Sequence, residues 1–127
     1  MKKVIIAGAF DCLAQKDIHL IKEALKLSVG GELYAIISDD YQFFLENKRF
    51  PTQEIRLREE NLSYFIKREK IIRMPIFFKG LLGGSVPRMD GDKFIFVHYA
   101  HDKDFPGRDD LKEANITIKF IKPYGKA

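Results

Sequence analysis

Polar side chains follow three of the apolar runs in this chain, and they are of types that bind anions or exchange protons. They are Asp11 after the first run, Ser38 and Asp40 after the second, and His98, His101 and Asp102 after a later one. If the runs are parallel strands of one sheet, their carboxyl ends share an edge, and open α/β sheets bind ligands at that edge. The chemistry expected there is the binding of an anionic ligand.

Other chemistries are less well supported by the same residues. His101 and Asp102 could coordinate a metal ion together with Asp11, but scattered ligands are a poor metal signature, and a hydrogen-bonded strand-end histidine is the simpler interpretation. Cys12 is the single cysteine, so we interpret it as a small loop or core residue rather than a nucleophile. Gly83-Gly84-Ser85 lacks the lysine of a phosphate-binding P-loop. We therefore predict no metal site.

The stretch from Lys3 to Lys22 positions the first of these polar residues. The apolar run Val4 to Ala7 predicts a strand that is buried on both faces. Gly8 follows where the chain must turn, and a residue without Cβ allows another group to approach closely. From about Asp17 the apolar residues recur at helical spacing, so the helix N-terminus points at the carboxyl edge of the strand. Asp17 is also a candidate N-cap for that helix.

Strands and helices alternate along the rest of the chain. The pattern predicts strands over 32–38, 70–74, 93–99 and 116–121, a short helix or loop over 41–47, and helices over 52–65 and 108–114, with Thr52 as an N-cap. Residues 76–92 show no periodicity. The alternation predicts a single α/β domain over residues 1–127, with a Rossmann-like, doubly wound, parallel sheet of five strands.

Composition narrows the class of protein. The 127 residues carry a net charge of +4, which suits an anionic ligand but is too mild to indicate nucleic acid. No apolar run approaches the roughly 20 residues that span a bilayer. The start of the chain begins like a signal peptide, but Asp11 interrupts an apolar run that is already too short. We expect a cytoplasmic protein that has no membrane partner.

Residues Gly8 to Leu13, followed by an amphipathic helix, resemble the opening of the cytidylyltransferase-like nucleotidyltransferases. That family reads Gly-Thr-Phe-Asp-Leu-Leu and then His-x-Gly-His; its two histidines fall on Ala14 and Asp17, and its glycine falls on Lys16. Further matches follow in the same order along the chain. Ser38-Asp39-Asp40 corresponds to the family's Ser-Thr-Asp, and Lys48 and Arg49 correspond to its basic pair. Thr52, Glu54 and Arg56 correspond to its Thr-x-Glu-x-Arg, and Ala100-His101-Asp102 corresponds to its Gly-His-Asp.

The resemblance implies a nucleotide site and a reaction. The site residues that it implies are Gly8, Ala9, Phe10, Asp11, Lys16, Asp17, Lys48, Arg49, Arg56, His101 and Asp102. The reaction is attack of a phosphate or phosphorylated alcohol on the α-phosphate of CTP or ATP, with pyrophosphate leaving; Mg²⁺ accompanies the nucleotide if the enzyme is active. Ala14 and Asp17 replace the two phosphate-binding histidines, and an aspartate there repels phosphate. The family's Ile-Ser-Thr-Thr phosphate-binding motif has no counterpart up to Ala127.

Three functions follow from this combination. The first is a nucleotide-binding protein with its transferase activity lost or impaired, the second is a non-catalytic interaction scaffold, and the third is an active nucleotidyltransferase with unusual residues. The expected partners are CTP or ATP, and either a second copy of the chain or another protein. Phe77, Phe78, Tyr99 and Phe105 are aromatic residues that would suit such an interface.

Overall fold

The computed structural model describes residues 1–73, 91–105 and 107–124, and a five-stranded sheet lies at its centre. The strands are β1 (Lys2–Gly8), β2 (Glu32–Ile37), β3 (Ile71–Arg73), β4 (Lys93–Tyr99) and β5 (Thr117–Ile121). They are ordered β3-β2-β1-β4-β5, and every neighbouring pair is parallel. The predicted Rossmann-like parallel sheet is confirmed.

In the part of the chain that the structure describes, four helices lie between strands. They are α1 (Gln15–Leu27), α2 (Asp40–Asn47), α3 (Ile55–Leu62) and α4 (Arg108–Glu113), and a 3₁₀ turn (Arg68–Lys70) leads into β3. The chain builds outward from β1 to β3 and then returns to the other side of β1 to form β4 and β5. This reversal opens a crevice between the carboxyl ends of β1 and β4. Within the described ranges, no helix has the length and apolarity needed to cross a membrane.

The sheet is buried on both faces, as the continuous apolar runs predict. Val4 and Ile6 of β1 face a cluster that includes Ile21 of α1, whereas Ile5 faces a second cluster that includes Leu111 of α4. Because α1 packs against one face and α4 against the other, the crevice at the strand ends lies between two packed faces of the sheet.

Two helices begin at positions other than those predicted. α1 has Ala14 as its N-cap, so Asp17 is the third helical residue rather than the N-cap. α3 has Glu54 as its N-cap rather than Thr52. The physical reason for the second difference is long-range: the Thr52 N–H donates to the Asp11 carboxylate at 2.8 Å, which holds Thr52 outside the helix.

The close approach predicted at Gly8 occurs at a different glycine. A Cβ on Gly8 would lie 3.5 Å from the Phe10 ring, which is ordinary van der Waals contact. A Cβ on Gly31 would lie 2.1 Å from the Lys2 carbonyl oxygen, so only glycine fits there. The preceding Gly30 has φ of +81° and turns the chain from α1 into β2.

Two of the aromatic residues assigned to an interface pack inside this chain instead. Phe105 is buried in the cluster beside α4, and Tyr99 lies at the crevice. Phe77 and Phe78, the Gly83 to Ser85 stretch and Met74, the last residue of the predicted third strand, lie outside the described residues.

Candidate functional site

A cleft of about 350 Å³ occupies the crevice between β1 and β4. Its lining comprises Ala7, Gly8, Phe10, Lys16, Asp17, Leu20, His98, Tyr99, His101, Pro123 and Tyr124. Five of the residues predicted for the site are among them: Gly8, Phe10, Lys16, Asp17 and His101. The cleft is therefore built from β1, the start of α1, the end of β4 and the segment after β5.

The loop after β1 has an uncommon backbone. Phe10 and Cys12 have φ of 51° and 57°, in the left-handed region that residues with a Cβ seldom adopt. Such a conformation persists only where surrounding contacts determine it, and it is concentrated at functional sites. Phe10 is only 2% exposed, and its ring forms the floor of the cleft.

Asp11 fastens this loop to the segment before α3. Its carboxylate accepts hydrogen bonds from the Thr52 N–H at 2.8 Å and the Gln53 N–H at 2.9 Å. Burial raises the pKa of Asp11, but the two N–H donors and the nearby positive charges of Arg58 and Arg49 outweigh it, so the pKa lies below its ordinary value. Asp11 acts as a clamp on the loop and is not among the residues that line the cleft.

Arg58 is the second clamp, and its side chain is fully buried. Its Nη1 donates to the carbonyl oxygens of Ala9 at 2.8 Å and Ser38 at 2.7 Å. Its Nη2 donates to the Asp40 carboxylate at 2.7 Å, and its Nε donates to the Gln53 carbonyl at 3.0 Å. One guanidinium thus joins the ends of β1 and β2 to α2 and to the segment before α3.

Asp17 lies where the chain enters α1. The Ala14 N–H donates to its Oδ2 at 3.0 Å, which is one half of a capping box; Ala14 has no side-chain acceptor for the other half. Burial raises the pKa of Asp17, and the negative charge of Asp11 adds to this, whereas the Ala14 hydrogen bond and the charge of Lys16 oppose it. The aspartate that replaces a histidine of the resembled family therefore stabilises a helix end.

Aromatic rings form one wall of the cleft. Tyr99 stacks with His101 at a centroid distance of 5.5 Å and with His19 at 6.4 Å, and His19 meets Tyr124 at 5.9 Å. The Tyr99 hydroxyl donates to the Lys16 carbonyl, and His19 Nε2 donates to the Lys122 carbonyl at 3.1 Å. These two hydrogen bonds link β4 and the segment after β5 to α1. Burial raises the pKa of Tyr99, and the negative charge of Asp17 raises it further.

His98 is a cleft residue with a carboxylate beside it. Its Nε2 lies 3.0 Å from Asp102 Oδ2, and its ring packs on Phe105 at a centroid distance of 4.2 Å. Asp102 therefore contacts the cleft through His98 rather than lining it. Within the described parts of the chain, no three His, Cys, Asp or Glu residues are grouped so that they could hold a metal ion.

Three of the predicted basic residues do not line the cleft. Lys48 is exposed in a left-handed conformation at the end of α2, and Arg49 donates to the Phe50 carbonyl and lies over the Phe43 ring. Arg56 is exposed on α3, two positions from the buried Arg58. Because two helical positions differ by about 200°, the two arginines occupy opposite sides of the helix.

The residues that sequence reasoning missed are Arg58, Tyr99 and Tyr124. A charged residue such as Arg58 at the centre of a charged helix carries no sequence signal of burial. The sequence does indicate a site role for Tyr99, because this residue directly follows His98 at the predicted carboxyl edge of β4. It is instead predicted from the sequence to lie at an interface.

The comparisons with known proteins give a likeness of fold. A lipopolysaccharide core biosynthesis protein from Thermoplasma volcanium GSS1 superposes with a TM-score of 0.67 at 22% identity, over 98% of this chain and 98% of that chain. A protein with unknown function from Archaeoglobus fulgidus superposes with a TM-score of 0.69 at 18% identity, over 98% of this chain and 93% of that chain. No protein-family model and no curated protein matches the sequence. These likenesses show the fold alone, so the resemblance to the cytidylyltransferase-like family rests on the sequence motifs.

Proposed function

We propose that this protein binds a nucleotide in the cleft between β1 and β4 and does not transfer the nucleotidyl group. The observation that carries the proposal is the position of the cleft, at the point where the strand order reverses, which is where open α/β sheets bind such ligands. Its volume of about 350 Å³ falls within the range of small-molecule sites.

The aromatic lining suits a nucleobase. Tyr99, His101 and Tyr124 present rings along one wall, and the Phe10 ring forms the floor. Stacking on such rings is favourable for every base, because each base has an apolar π face.

The polar lining suits the sugar and phosphate. Lys16 is an exposed cation at the entry to α1, and His98 and His101, in β4 and just after it, supply ring nitrogens to the same cleft. Ammonium and imidazole groups are usual partners of phosphate oxygens.

The residues at the start of α1 are the reason why we propose that nucleotidyl transfer is lost. Positions 14 and 17 are those at which the resembled family donates hydrogen bonds to the α-phosphate, and Ala14 has no side-chain donor. Asp17 presents a carboxylate that already accepts the Ala14 N–H. Without donors aimed at the developing charge, the largest source of phosphoryl-transfer catalysis is missing.

The test is a thermal-shift series with the mono- and triphosphates of adenosine, cytidine, guanosine and uridine at millimolar concentration. At least one should raise the melting temperature, because a ligand that binds only the folded state stabilises it. Lys16→Ala and His101→Ala should reduce the shift in melting temperature. Lys22→Ala is the control and should leave the shift unchanged, because Lys22 is exposed on the same helix as Lys16 but lies outside the cleft lining. No shift with any of the eight compounds contradicts the proposal.

A scaffold function is the second candidate, and exposed aromatic side chains favour it. Phe44 and Phe50 stack at 4.8 Å on the surface beside α2, and Tyr64 after α3 is 80% exposed. Sedimentation velocity of the purified protein tests a homodimer directly. A dimer that is broken by Phe50→Ser, together with no nucleotide shift, would favour the scaffold function over nucleotide binding.

A further inference from the structure

The charge arrangement in the cleft bears on which nucleotides it accepts. We infer that the cleft selects nucleosides and nucleoside monophosphates over nucleoside triphosphates, because the Asp17 carboxylate occupies the place at the head of α1 that a phosphate chain would take. This inference rests on the nucleotide-binding function proposed above and specifies its ligand class.

The geometry at the head of α1 is the first argument. A helix N-terminus attracts phosphate through its free N–H groups and its dipole. In this chain Asp17 both lines the cleft and accepts the Ala14 N–H at 3.0 Å. The protein's own carboxylate therefore supplies the negative charge that the helix end favours, and an incoming phosphate must displace or oppose it.

The balance of charge in the lining is the second argument. The cation Lys16 directly precedes the anion Asp17, and the His98 ring lies 3.0 Å from the Asp102 carboxylate. Lys16 and His98 thus each have an acidic neighbour, which reduces the positive charge that the lining offers to phosphate. Lys16 can match a single phosphate group, whereas the further charges of a triphosphate meet no second lysine or arginine among the described residues that line the cleft.

The raised pKa of Asp17 agrees with this arrangement of charges in the cleft. Burial, with the negative charge of Asp11 as a smaller contribution, raises the pKa of Asp17 despite the Ala14 hydrogen bond and the charge of Lys16. Surroundings that disfavour one carboxylate charge at this point also disfavour additional phosphate charges there.

The experiment is isothermal titration calorimetry with adenosine, AMP, ADP and ATP, and with the corresponding cytidine series, in EDTA so that Mg²⁺ does not neutralise the phosphates. The wild-type protein should bind the monophosphate at least about fivefold more tightly than the triphosphate of the same base, a ratio within the range of a single unfavourable charge contact in a partly solvated site. This comparison needs no variant, so it stands even if a substitution impairs folding.

Asp17→Asn tests the cause. Asparagine keeps an oxygen that can accept the Ala14 N–H but removes the charge, so triphosphate affinity should rise about tenfold while nucleoside affinity changes by less than about threefold. Asp109→Asn is the matched control, an exposed aspartate in the first turn of α4, and it should change neither affinity.

Two outcomes would overturn the inference, and they separate it from the function on which it rests. A wild-type protein that binds the triphosphate as tightly as the monophosphate contradicts the selectivity but leaves nucleotide binding intact. A protein that binds none of these compounds at millimolar concentration contradicts both.

Discussion

At the scale of single residues, Arg58 and Asp11 hold the cleft loop in its left-handed conformation. Both reach across more than 40 positions in the sequence, from Arg58 to the Ala9 carbonyl and from Asp11 to the Thr52 N–H. Buried charged groups are stable only when their hydrogen bonds are complete, so replacing either should affect the whole loop.

Arg58→Met should destabilise the protein by about 3 kcal/mol, because it leaves the Ala9 and Ser38 carbonyls and the Asp40 carboxylate without their donor. Urea denaturation measures the change in the free energy of unfolding. Arg56→Met, on the exposed side of the same helix, is the matched control and should stay within about 0.5 kcal/mol of wild type. Equal effects of the two changes would refute the burial of Arg58.

Asp11→Asn should destabilise the protein by about 1–2 kcal/mol, since one amide oxygen cannot replace two carboxylate oxygens that accept from Thr52 and Gln53. The pKa of Asp11 is lowered in the folded state, so its contribution is present above its ordinary value of 3.8 and is lost as the pH falls through the lowered value. The difference between wild type and variant should therefore be full at pH 7 and vanish in strong acid. A difference that grows as the pH falls below 3.8 would contradict this assignment.

At the scale of elements, the link from α1 to β2 passes close against the start of β1. Gly31 passes so near the Lys2 backbone that no side chain fits, and Gly30 turns the chain with a positive φ.

Gly31→Ala should cost about 3 kcal/mol or more, because its Cβ would lie 2.1 Å from the Lys2 carbonyl oxygen and backbone must move to relieve the overlap. Gly30→Ala meets no neighbouring atom, so it should cost only the roughly 1 kcal/mol of a left-handed alanine. Thermal unfolding of the two variants checks the ranking. A larger loss of stability in Gly30→Ala than in Gly31→Ala would contradict the close approach of Gly31 to the Lys2 carbonyl.

At the scale of the whole molecule, a two-sided α/β frame presents a cleft that has rings and mixed charges but lacks the histidine pair of the resembled enzymes. Binding and catalysis are separable here, because the fold supplies the crevice whereas the donors must be supplied residue by residue. That this protein forms a homodimer stays a prediction.

The purified protein should release no pyrophosphate from CTP or ATP with Mg²⁺ above background, whatever phosphorylated alcohol is offered. We expect this result because Ala14 has no side-chain donor and the Asp17 carboxylate would oppose the charge of an α-phosphate bound there. Turnover on the order of 1 s⁻¹ in a coupled pyrophosphate assay would show that other residues supply it.

The double variant Ala14→His, Asp17→His is the companion measurement. If the two donors are all that is missing, triphosphate affinity should rise in this variant. An unchanged affinity would instead place the deficiency in the rest of the phosphate site.

The sequence by itself determined the architecture of this protein. Continuous apolar runs such as Val4 to Ala7 predict strands buried on two faces, and their alternation with helices predicts the parallel sheet that the structure confirms. These signals are local, since strand and helix periods are visible within ten or fifteen residues. The resemblance, rather than this pattern, implied a common site for Gly8, Phe10, Lys16, Asp17 and His101, and these five residues line the cleft.

Only the tertiary structure decided how the crevice is held and what faces into it. Arg58 and Arg56 are indistinguishable as sequence, yet one is fully buried and the other exposed, because burial depends on acceptors 18 to 49 positions away. Likewise, the ring contact that joins His19 to Tyr124, and the bond from Tyr99 to the Lys16 carbonyl, connect parts of the chain that no local pattern links. Long-range hydrogen bonds and ring packing are properties of the folded chain, and they determined the chemistry of the site.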